Sequence, residues 1–465
     1  MTKADIQSET RFTDHVLGLS LDQIPGDVIE TAVALIRDSF AVGIAGAGVP
    51  LSENILTVAT GWGKSDPGLG STVLGRGIKL PPASAAFVNG FQIHCQEYDC
   101  VHETAVVHPM ATILAALLAT AEAEENAGRP VSGAQFISAI IGAVDVATGL
   151  GLAVSTPLKF FRPATAGLFG ATLGAAKLRG FDKDQALNAL GLALAHCSGS
   201  MQAHVEGKPT LPIQIANAAR GAVAACDLAE AGLAGPLAAL EGPYGYLPLF
   251  EDAWDLSPIL DSLGKTWRVN EVSYKVYPTG RAAQGGLLGI EQLQDSKLPI
   301  SEIESIVLSA PPIMKRLVGR PWKPDMEISY ARLCFAYLGA AALLHDQVGL
   351  GDFTPERLSD PMIGALAARI SVEDNGVPDP AAFAPQQLTA TLKNGAVQTF
   401  HIPELPGSPG GAFGRTAQLD KALKCLNFGL GEAEAAQRFA AFEERMDALP
   451  DRQSIRDLLD IVFLR

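Results

Sequence analysis

The sequence of 465 residues predicts a mainly α-helical protein, with a large all-α domain and a smaller α+β domain. Residues 10–260 are rich in Ala, Gly and Leu, and their apolar side chains recur at helical spacing almost throughout. Beyond about Gly264, short segments rich in β-branched residues alternate with helical segments. The length also exceeds that of one simple core, so two domains are expected.

The large domain is predicted to comprise residues 1–264 and 416–465. Ile29, Val33 and Phe40 recur at helical spacing and mark one buried face. The last segment is also helical in pattern, and we expect it to pack back on this domain. Gly and Pro separate the further predicted helices, which cover residues 82–96, 110–127, 133–154, 164–179, 184–197 and 212–232.

The smaller domain is predicted to cover residues 265–405. Asn394-Gly395, between two alternating segments, is a strong hairpin signal. The Pro- and Gly-rich segment 405–411 is typical of a linker. Helices are predicted at about 281–295 and 330–345, and strands at 266–269, 303–308, 368–372, 388–392 and 397–400.

Composition excludes some classes of function. The formal net charge of −15 argues against nucleic acid as a partner, because phosphate binding needs a basic surface. The negative net charge is compatible with a small anionic substrate, because such a substrate responds to the local field of its pocket and not to the net charge of the protein. The six cysteines include no C-x-x-C pair, so they predict free thiols and no zinc ribbon or iron–sulfur cluster.

The sequence predicts a cytoplasmic protein that does not enter a membrane. Residues 1–5 contain no apolar core of a signal peptide, and free thiols fit a reducing compartment. The apolar run from Phe136 to Val154 includes Asp145 and three glycines. We therefore expect this run to form a buried core helix and not a membrane span.

One polar segment between two apolar helices is the main candidate for an active site. It contains Glu97, Asp99, His102 and His108. Ionisable groups are costly to place between buried helices unless they are paired or used in chemistry. The alternative is a structural imidazole at a helix start beside a solvated loop.

Several cationic residues are candidates for binding an anion. Lys208 precedes an apolar helix, where backbone N–H groups would assist it, and His204 lies four residues earlier. Lys275 and Arg281 lie where the chain enters the smaller domain, so we expect them at an interdomain cleft. Each also has an ordinary structural interpretation. Lys208 would be a surface lysine at a turn, His204 a histidine with its hydrogen bonds satisfied, and Lys275 and Arg281 a solvated pair beside a turn.

Two further arginines precede prolines. Arg320 has the planar fork that matches a carboxylate, although a surface position is the simpler interpretation. Arg162 precedes a Gly- and Ala-rich helix, which Thr165 would cap in the structural interpretation. No metal site is predicted, because the spacing of the nearby histidines and cysteines matches no established closed site; these are His94, Cys95, Cys100, His102 and His108.

Together these motifs resemble the MmgE/PrpD family, which includes 2-methylcitrate dehydratases, cis-aconitate decarboxylases and iminodisuccinate epimerases. The resemblance covers essentially the whole chain. It is carried by the order and spacing of Pro82–Gly90, Glu97-Tyr98-Asp99, His108-Pro109, Ala166–Gly170, Gly207-Lys208-Pro209, Lys275–Pro278 and Arg320-Pro321. It implies a helical domain with an α+β lid, a homodimer, a site between the domains, a small di- or tricarboxylate substrate, and neither metal nor organic cofactor.

The resemblance also assigns residues by position. Asp99 and His108 match the acidic-segment site residues of the family, and Lys208 and Lys275 match its two cationic site residues. Glu97 falls where the family often has Asp. The resemblance also indicates that three proton-handling groups of the family are replaced here. Arg162 stands in place of a histidine, Gly280 or Gln284 in place of a second histidine, and Leu317 in place of a tyrosine.

The chemistry that the resemblance implies begins with removal of a proton next to a carboxylate. We assign His108 as general base or acid, oriented by Asp99. Lys208, Lys275 and Arg281 would bind carboxylates, and Glu97 and His102 would be reserve proton carriers. Dehydration, as in 2-methylcitrate dehydratase, is the first expectation. Epimerisation, isomerisation and decarboxylation are alternatives, as is a homologue that binds a carboxylate without turnover.

Overall fold

The computed structural model of the protein describes residues 6–66, 68–379 and 381–463. Residues 1–5, which entered the expectation of a cytoplasmic protein, lie outside the described residues. All six cysteines are free thiols, as their spacing predicts.

A first group of helices precedes residue 264. Its members are α1 (Gln7–Gly18), α2 (Gly26–Ala47), α3 (Pro50–Gly61), α4 (Pro82–His94), α5 (Pro109–Asn126), α6 (Gly133–Leu152), α7 (Arg162–Leu178), α8 (Lys183–Ala193), α9 (Gln202–Glu206), α10 (Thr210–Glu230), α11 (Tyr246–Phe250) and α12 (Ser257–Ser262).

The rest of the chain carries shorter helices, most of the strands and a helical C-terminal segment. The helices are α13 (Gln284–Asp295), α14 (Pro312–Val318), α15 (Ile328–Ala331), α16 (Phe335–His345), α17 (Pro355–Leu358), α18 (Pro361–Ala367), α19 (Arg415–Leu430), α20 (Glu432–Asp447) and α21 (Arg456–Phe463). The strands among the described residues are β1 (Ser71–Val73), β2 (Ile78–Leu80), β3 (Ile303–Ala310), β4 (Ile370–Asp374), β5 (Gln386–Leu392) and β6 (Val397–Ile402).

Small residues determine how closely the central helices pack. Helices α4, α5, α6, α7 and α10 pack against one another, and α19 packs on α2, which confirms the expected return of the C-terminal segment. A Cβ atom on Gly170 would lie 2.3 Å from the carbonyl oxygen of Ala143, so only glycine allows this approach of α7 to α6. The helices and strands given above confirm the mainly α-helical class.

The second part of the chain contains a four-stranded mixed sheet in the order β4-β3-β5-β6. Strands β3 and β4 are parallel, and the other pairs are antiparallel. Alternate residues of β5 are buried beneath α13, as period-two patterning requires. The β5–β6 hairpin confirms the Asn394-Gly395 signal, and Gly395 has a φ of 84°, which favours glycine.

Two local predictions were wrong. Residues 266–269 form no strand, and a 3₁₀ turn covers Arg268–Glu271. The Arg268 N–H donates to Asp145 and its guanidinium to Glu271, so side-chain bonds stabilise the turn. The region predicted as all-α also contains the β1–β2 hairpin, whose three-residue strands are too short to show a pattern.

Buried apolar side chains form two hydrophobic clusters. One spans residues 12–274 and 422–459, and the other spans residues 277–405. These ranges parallel the boundaries expected from sequence, while the division into two folding domains stays a prediction. Helix α6 is apolar and long enough to cross a membrane, but its residues 136–151 are all buried among other helices, as expected for a core helix.

We predict that Gly46→Ala destabilises the protein. The added Cβ would lie 2.0 Å from the carbonyl oxygen of Gln92, so α2 and α4 would have to separate. Overpacking of this kind costs about 1–3 kcal/mol, which should lower the denaturant midpoint. Gly61→Ala is the matched control, because nothing lies within 4 Å of the position that its Cβ would take. Equal midpoints for both variants would contradict this account of the α2–α4 contact.

Candidate active site

The segment between α4 and α5 is held from both ends and from a distant part of the chain. Helix α4 ends at His94, and His108 is the N-cap residue of α5. Between them, Val101 exchanges two backbone hydrogen bonds with Ser273, of 2.9 and 2.8 Å. This bridge places Lys275 beside the acidic residues, although 176 positions separate it from Asp99 in sequence.

Asp99 is the centre of the site and has no exposed surface. Its Oδ2 atom lies 3.0 Å from Nδ1 of His94 and 3.0 Å from Nδ1 of His108. The Lys275 Nζ atom lies 3.9 Å from Oδ1 of Asp99. Two imidazoles and one ammonium therefore surround a single buried carboxylate.

This geometry determines which imidazole nitrogens remain available. With Asp99 ionised, the Nδ1–H groups of both histidines donate to it. The Nε2 atom of His108, on the opposite side of its ring, is then the nitrogen that a substrate can reach. A carboxylate that orients an imidazole in this way is the arrangement expected of a general base or acid.

The charges around Asp99 and Glu97 keep both carboxylates ionised. Burial opposes ionisation of Asp99, but His94, His108 and Lys275 hold its pKa well below the usual range. Burial also opposes ionisation of Glu97, but Lys275 and the two imidazoles lower its pKa to about 2. The Lys275 Nζ atom donates to Glu97 over 2.9 Å, with Lys275 itself fully buried.

The two imidazoles have pKa values shifted in opposite directions. For His94, burial disfavours the cation, but the charges of Asp99 and Glu97 outweigh it and raise the pKa. For His108, burial together with Lys275 and His94 outweighs the attraction of Asp99 and lowers the pKa. Two adjacent titratable groups with opposed shifts are typical of sites that move protons.

Glu97 also has an unusual backbone conformation. Its φ of 51° lies in the left-handed region, which is costly for a residue with a side chain. The conformation directs its carboxylate toward Lys275 and, at 3.8 Å, toward Nε2 of His94. The surrounding contacts therefore maintain a local strain that places this carboxylate at the site.

A cavity adjoins these groups and contains about 590 Å³ of empty space, its open mouth included. Glu97, His108, His204 and Arg281 are the ionisable residues in its wall. The rest of the wall is mainly apolar and includes Val101, Val106, Leu158, Phe161, Leu317 and Leu333.

Lys208 and His102, two predicted site residues, lie outside the wall of this cavity and form no bond with Asp99. Lys208 lies on the surface, about half exposed, and forms an ion pair with Glu327 at 2.5 Å. His102 bonds through Nε2 to Glu271 at 2.9 Å and accepts a hydrogen bond at Nδ1 from the Ala105 N–H. Both nitrogens of His102 are thus engaged in holding the loop, and its role as a reserve proton carrier has no support in this geometry.

Two predicted arginines are buried but already have partners. Arg162 lies 2.9 Å from Glu251 through Nε and donates to the Thr156 carbonyl. Arg281 lines the cavity, but its guanidinium donates to Glu103, Ser408 and the carbonyls of Tyr274 and Pro406; the contact to Ser408 is 2.9 Å. These contacts give both arginines a structural function, and the burial of Arg281 differs from the solvated pair of the structural alternative.

His204 lies at another side of the cavity, and Arg320 lies beside it. Arg320 donates to the His204 carbonyl over 2.9 Å, and its Nη1 atom is buried without a hydrogen-bond partner. Burial and the charge of Arg320 lower the pKa of His204 to about 4, so its imidazole is neutral at pH 7. The predicted pair is thus adjacent, with His204 lining the cavity.

Gln284 and Gly280, at one of which the resemblance led us to expect a histidine, have structural functions here. Gln284 accepts from the backbone N–H groups of Val276 and Tyr277 and donates to the Tyr277 carbonyl, at 2.8–3.1 Å. It therefore fixes the turn that carries Lys275. Gly280 packs so that an added Cβ would lie 2.6 Å from Leu333.

Sequence reasoning missed two contributors. His94 was weighed only as a metal ligand, because it stands at the end of an apolar helix, yet it lies against Asp99. Lys421 of α19 lies 2.7 Å from the buried Asp38 and donates to the Tyr98 carbonyl over 2.9 Å. Its place in the last helices gave no signal that it would reach the residue next to Asp99.

The donor atoms of His94, Asp99 and His108 lie within 4.8 Å of one another, close enough to hold a metal ion. The contacts favour a different use. Each histidine directs Nδ1 at Asp99, where a metal would need lone pairs directed at one shared point. The Lys275 ammonium beside both carboxylates also opposes a second cation.

Comparison with known proteins identifies related sequences. Residues 10–258 match the MmgE/PrpD N-terminal domain, and residues 277–448 match the MmgE/PrpD C-terminal domain. Cis-aconitate decarboxylase-like protein oryM of Aspergillus oryzae is 27% identical over 79% of this chain and 80% of its own. Cis-aconitate decarboxylases of Mus musculus and Homo sapiens are each 28% identical over 83% of this chain, and over 80% and 81% of their own.

We predict that NMR of labelled histidines shows His108 titrating below pH 6.5 and His94 above it. The opposed directions follow from the burial and charges described above. Asp99→Asn should lower both midpoints, because the Asp99 charge favours both imidazolium forms. Circular dichroism would verify that the variant is folded. If both histidines titrate near pH 6.5 and Asp99→Asn shifts neither midpoint, the contacts assigned between Asp99, His94 and His108 would be wrong.

We predict that removing metal ions leaves the protein folded and its activity unchanged. The reason is the unfavourable donor geometry and the adjacent ammonium of Lys275. Dialysis against EDTA, followed by elemental analysis, thermal unfolding and assay, checks this. A stoichiometric transition metal whose loss lowers both stability and turnover would overturn it.

Proposed function

The chain belongs to the MmgE/PrpD family, and from that premise we propose that it is a cofactor-independent lyase of small carboxylic acids. The observation that carries the proposal is the buried Asp99, which orients His108 at a cavity and lies beside Lys275. An oriented imidazole supplies proton transfer, and an ammonium stabilises negative charge that develops next to a carboxylate.

Decarboxylation is the reaction we place first. The relatives described above are named as cis-aconitate decarboxylases or as a decarboxylase-like protein. Their names favour it over the dehydration expected from sequence. In this reaction the C–C bond to a carboxylate breaks, CO₂ leaves, and the electron pair stays on the substrate carbon. The His108 imidazolium then delivers a proton to that carbon. Its lowered pKa makes the imidazolium a stronger acid but leaves a smaller fraction of His108 protonated at pH 7.

Dehydration is the second candidate, because the same residues serve it. Neutral His108 takes a proton next to a carboxylate through Nε2. The C–O bond on the neighbouring carbon then breaks as the double bond forms, and the leaving hydroxide takes the proton from the His108 imidazolium and departs as water. Lys275 stabilises the enediolate formed between these steps. The lowered pKa of His108 favours this neutral form at pH 7. Epimerisation would need reprotonation from the opposite face, for which His204 is the nearest further imidazole in the cavity wall.

Other features of the proposal come from the family resemblance. We propose a homodimer in the cytoplasm, a small di- or tricarboxylate substrate, and no metal or organic cofactor. Lys208 keeps its proposed cationic role only if the α9–α10 turn moves toward the cavity, because its ion pair with Glu327 lies at the surface.

We predict that His108→Ala lowers turnover by about 10²–10⁴-fold, the usual contribution of a general acid or base. The measurement is proton NMR in D₂O with citrate, 2-methylcitrate, cis-aconitate, malate, tartrate and iminodisuccinate. It detects product formation and exchange of the proton next to a carboxylate. His401→Ala is the control, because His401 is exposed on β6. Turnover that survives His108→Ala would refute the assignment of His108.

The pH dependence separates the two reactions. An acid role for His108 requires a rate that falls as pH rises through its lowered pKa, and a base role requires a rate that rises there. Binding of a dicarboxylate with neither exchange nor turnover would instead support a non-catalytic homologue.

A further inference from the structure

We propose that Tyr98 is a positioning residue that keeps the Lys275 ammonium beside Asp99. This deepens the proposed function and rests on it for the role of Lys275 in a reaction. Tyr98 directly precedes Asp99, and Val276 directly follows Lys275. The Tyr98 hydroxyl donates to the Val276 carbonyl over 3.0 Å. One hydrogen bond therefore joins the chain neighbours of the two charged groups.

The Tyr98 hydroxyl is placed to hold backbone and not to exchange a proton with a substrate. Tyr98 is buried and is not among the residues that line the cavity. Burial raises the pKa of its hydroxyl well above the usual value, so the hydroxyl keeps its proton throughout the neutral range. That proton is already directed at the Val276 carbonyl. Tyr98 therefore acts on the site through the position of its neighbours.

A buried ion pair fixes Tyr98 from the other side. The Lys421 Nζ atom lies 2.7 Å from Oδ1 of Asp38, and both side chains are buried. The same ammonium donates to the Tyr98 carbonyl over 2.9 Å and lies 4.1 Å from the centre of its ring. A charge-assisted hydrogen bond and a cation–π contact restrain both the backbone and the ring. Helices α2 and α19 thus provide the support from which the hydroxyl reaches Val276.

Other hydrogen bonds close to Lys275 connect its turn to different parts of the chain. The Tyr274 N–H donates to the Gly407 carbonyl over 2.9 Å, which joins the turn to the segment after β6. The Gln284 amide binds within the turn itself and reaches none of the acidic residues. Neither contact determines how far the ammonium lies from Asp99.

Two further links between the segments are more distant from the ammonium. Arg332 donates to the carbonyls of Gln96 and Pro278, and the latter lies three residues after Lys275. The backbone bridge at Val101 lies on the other side of the acidic segment. These links should keep the turn in place without the tyrosine hydroxyl. We therefore expect its removal to loosen the ammonium and not to release it.

The titration of two histidines reports the position of the ammonium. The Lys275 charge lowers the pKa of both His94 and His108. Asp99 raises both pKa values, and Glu97 raises that of His94. An ammonium that lies further from Asp99 and the two imidazoles should therefore raise both midpoints. A displaced Asp99 should instead lower both.

NMR of labelled histidines in the full-length Tyr98→Phe variant tests this, because the substitution removes the hydroxyl and keeps the ring. We expect both midpoints to rise by about 0.4–1 pH unit, since the free energy of one hydrogen bond limits the shift. Tyr98→Leu also removes the ring beside Lys421 and should raise them further. Tyr244→Phe is the matched control, because Tyr244 is 81% exposed. Circular dichroism verifies that each variant is folded.

A double-mutant cycle with Lys275→Met shows whether Tyr98 acts through the ammonium. Lys275→Met alone should raise both midpoints, and Tyr98→Phe should then add no further rise. An equal rise from Tyr98→Phe in both backgrounds would overturn the proposal. Unchanged or lowered midpoints in Tyr98→Phe alone would overturn it as well, so the test holds even if Lys275→Met does not fold.

Turnover of the same variants is measured separately. If His108 transfers the proton, the pH profile of kcat/KM in Tyr98→Phe should shift in the same direction as the His108 midpoint. Raised midpoints in a protein that neither exchanges protons with nor converts any acid would support the role of Tyr98 and refute the lyase function. Turnover with unshifted midpoints in Tyr98→Phe would refute the role of Tyr98 and leave the lyase function standing.

Discussion

The site depends on one constraint, a carboxylate that is fully buried and still ionised. Asp99 has no exposed surface, so its charge is stable only while His94, His108 and Lys275 surround it. Those three groups come from the end of α4, the start of α5 and a turn far along the chain. Forming this charge cluster therefore requires the helical core and the turn before α13 to be in place together.

Other buried cations stabilise the backbone around this cluster. Arg281 joins the Glu103 loop to the 405–408 turn, Lys421 binds the Tyr98 carbonyl, and Arg332 donates to the carbonyls of Gln96 and Pro278 at 2.8 and 2.9 Å. Their shared function is to satisfy carbonyls and carboxylates that irregular segments leave unpaired. The distinction between these cations and Lys275 lies in their partners and not in their residue type.

Sequence patterns predicted the helices, the β5–β6 hairpin and the acidic segment, because each depends on residues close together in the chain. They could not predict the state of Arg162 or Lys208, whose partners Glu251 and Glu327 lie about 90 and 120 positions away and carry no local signal. His94 was weighed only as a metal ligand, because its place at the end of an apolar helix gives no signal of its contact with Asp99. The roles of Asp99, His108 and Lys275 in a reaction stay predictions.

Gln284 limits how the turn that carries Lys275 could be redesigned. Its amide binds three backbone groups of that turn, two N–H groups and one carbonyl. An imidazole offers only two nitrogens and could not reproduce that pattern. A histidine introduced at this single position would therefore add a titratable group at the expense of the support of the turn, and keeping Lys275 in place would need compensating substitutions.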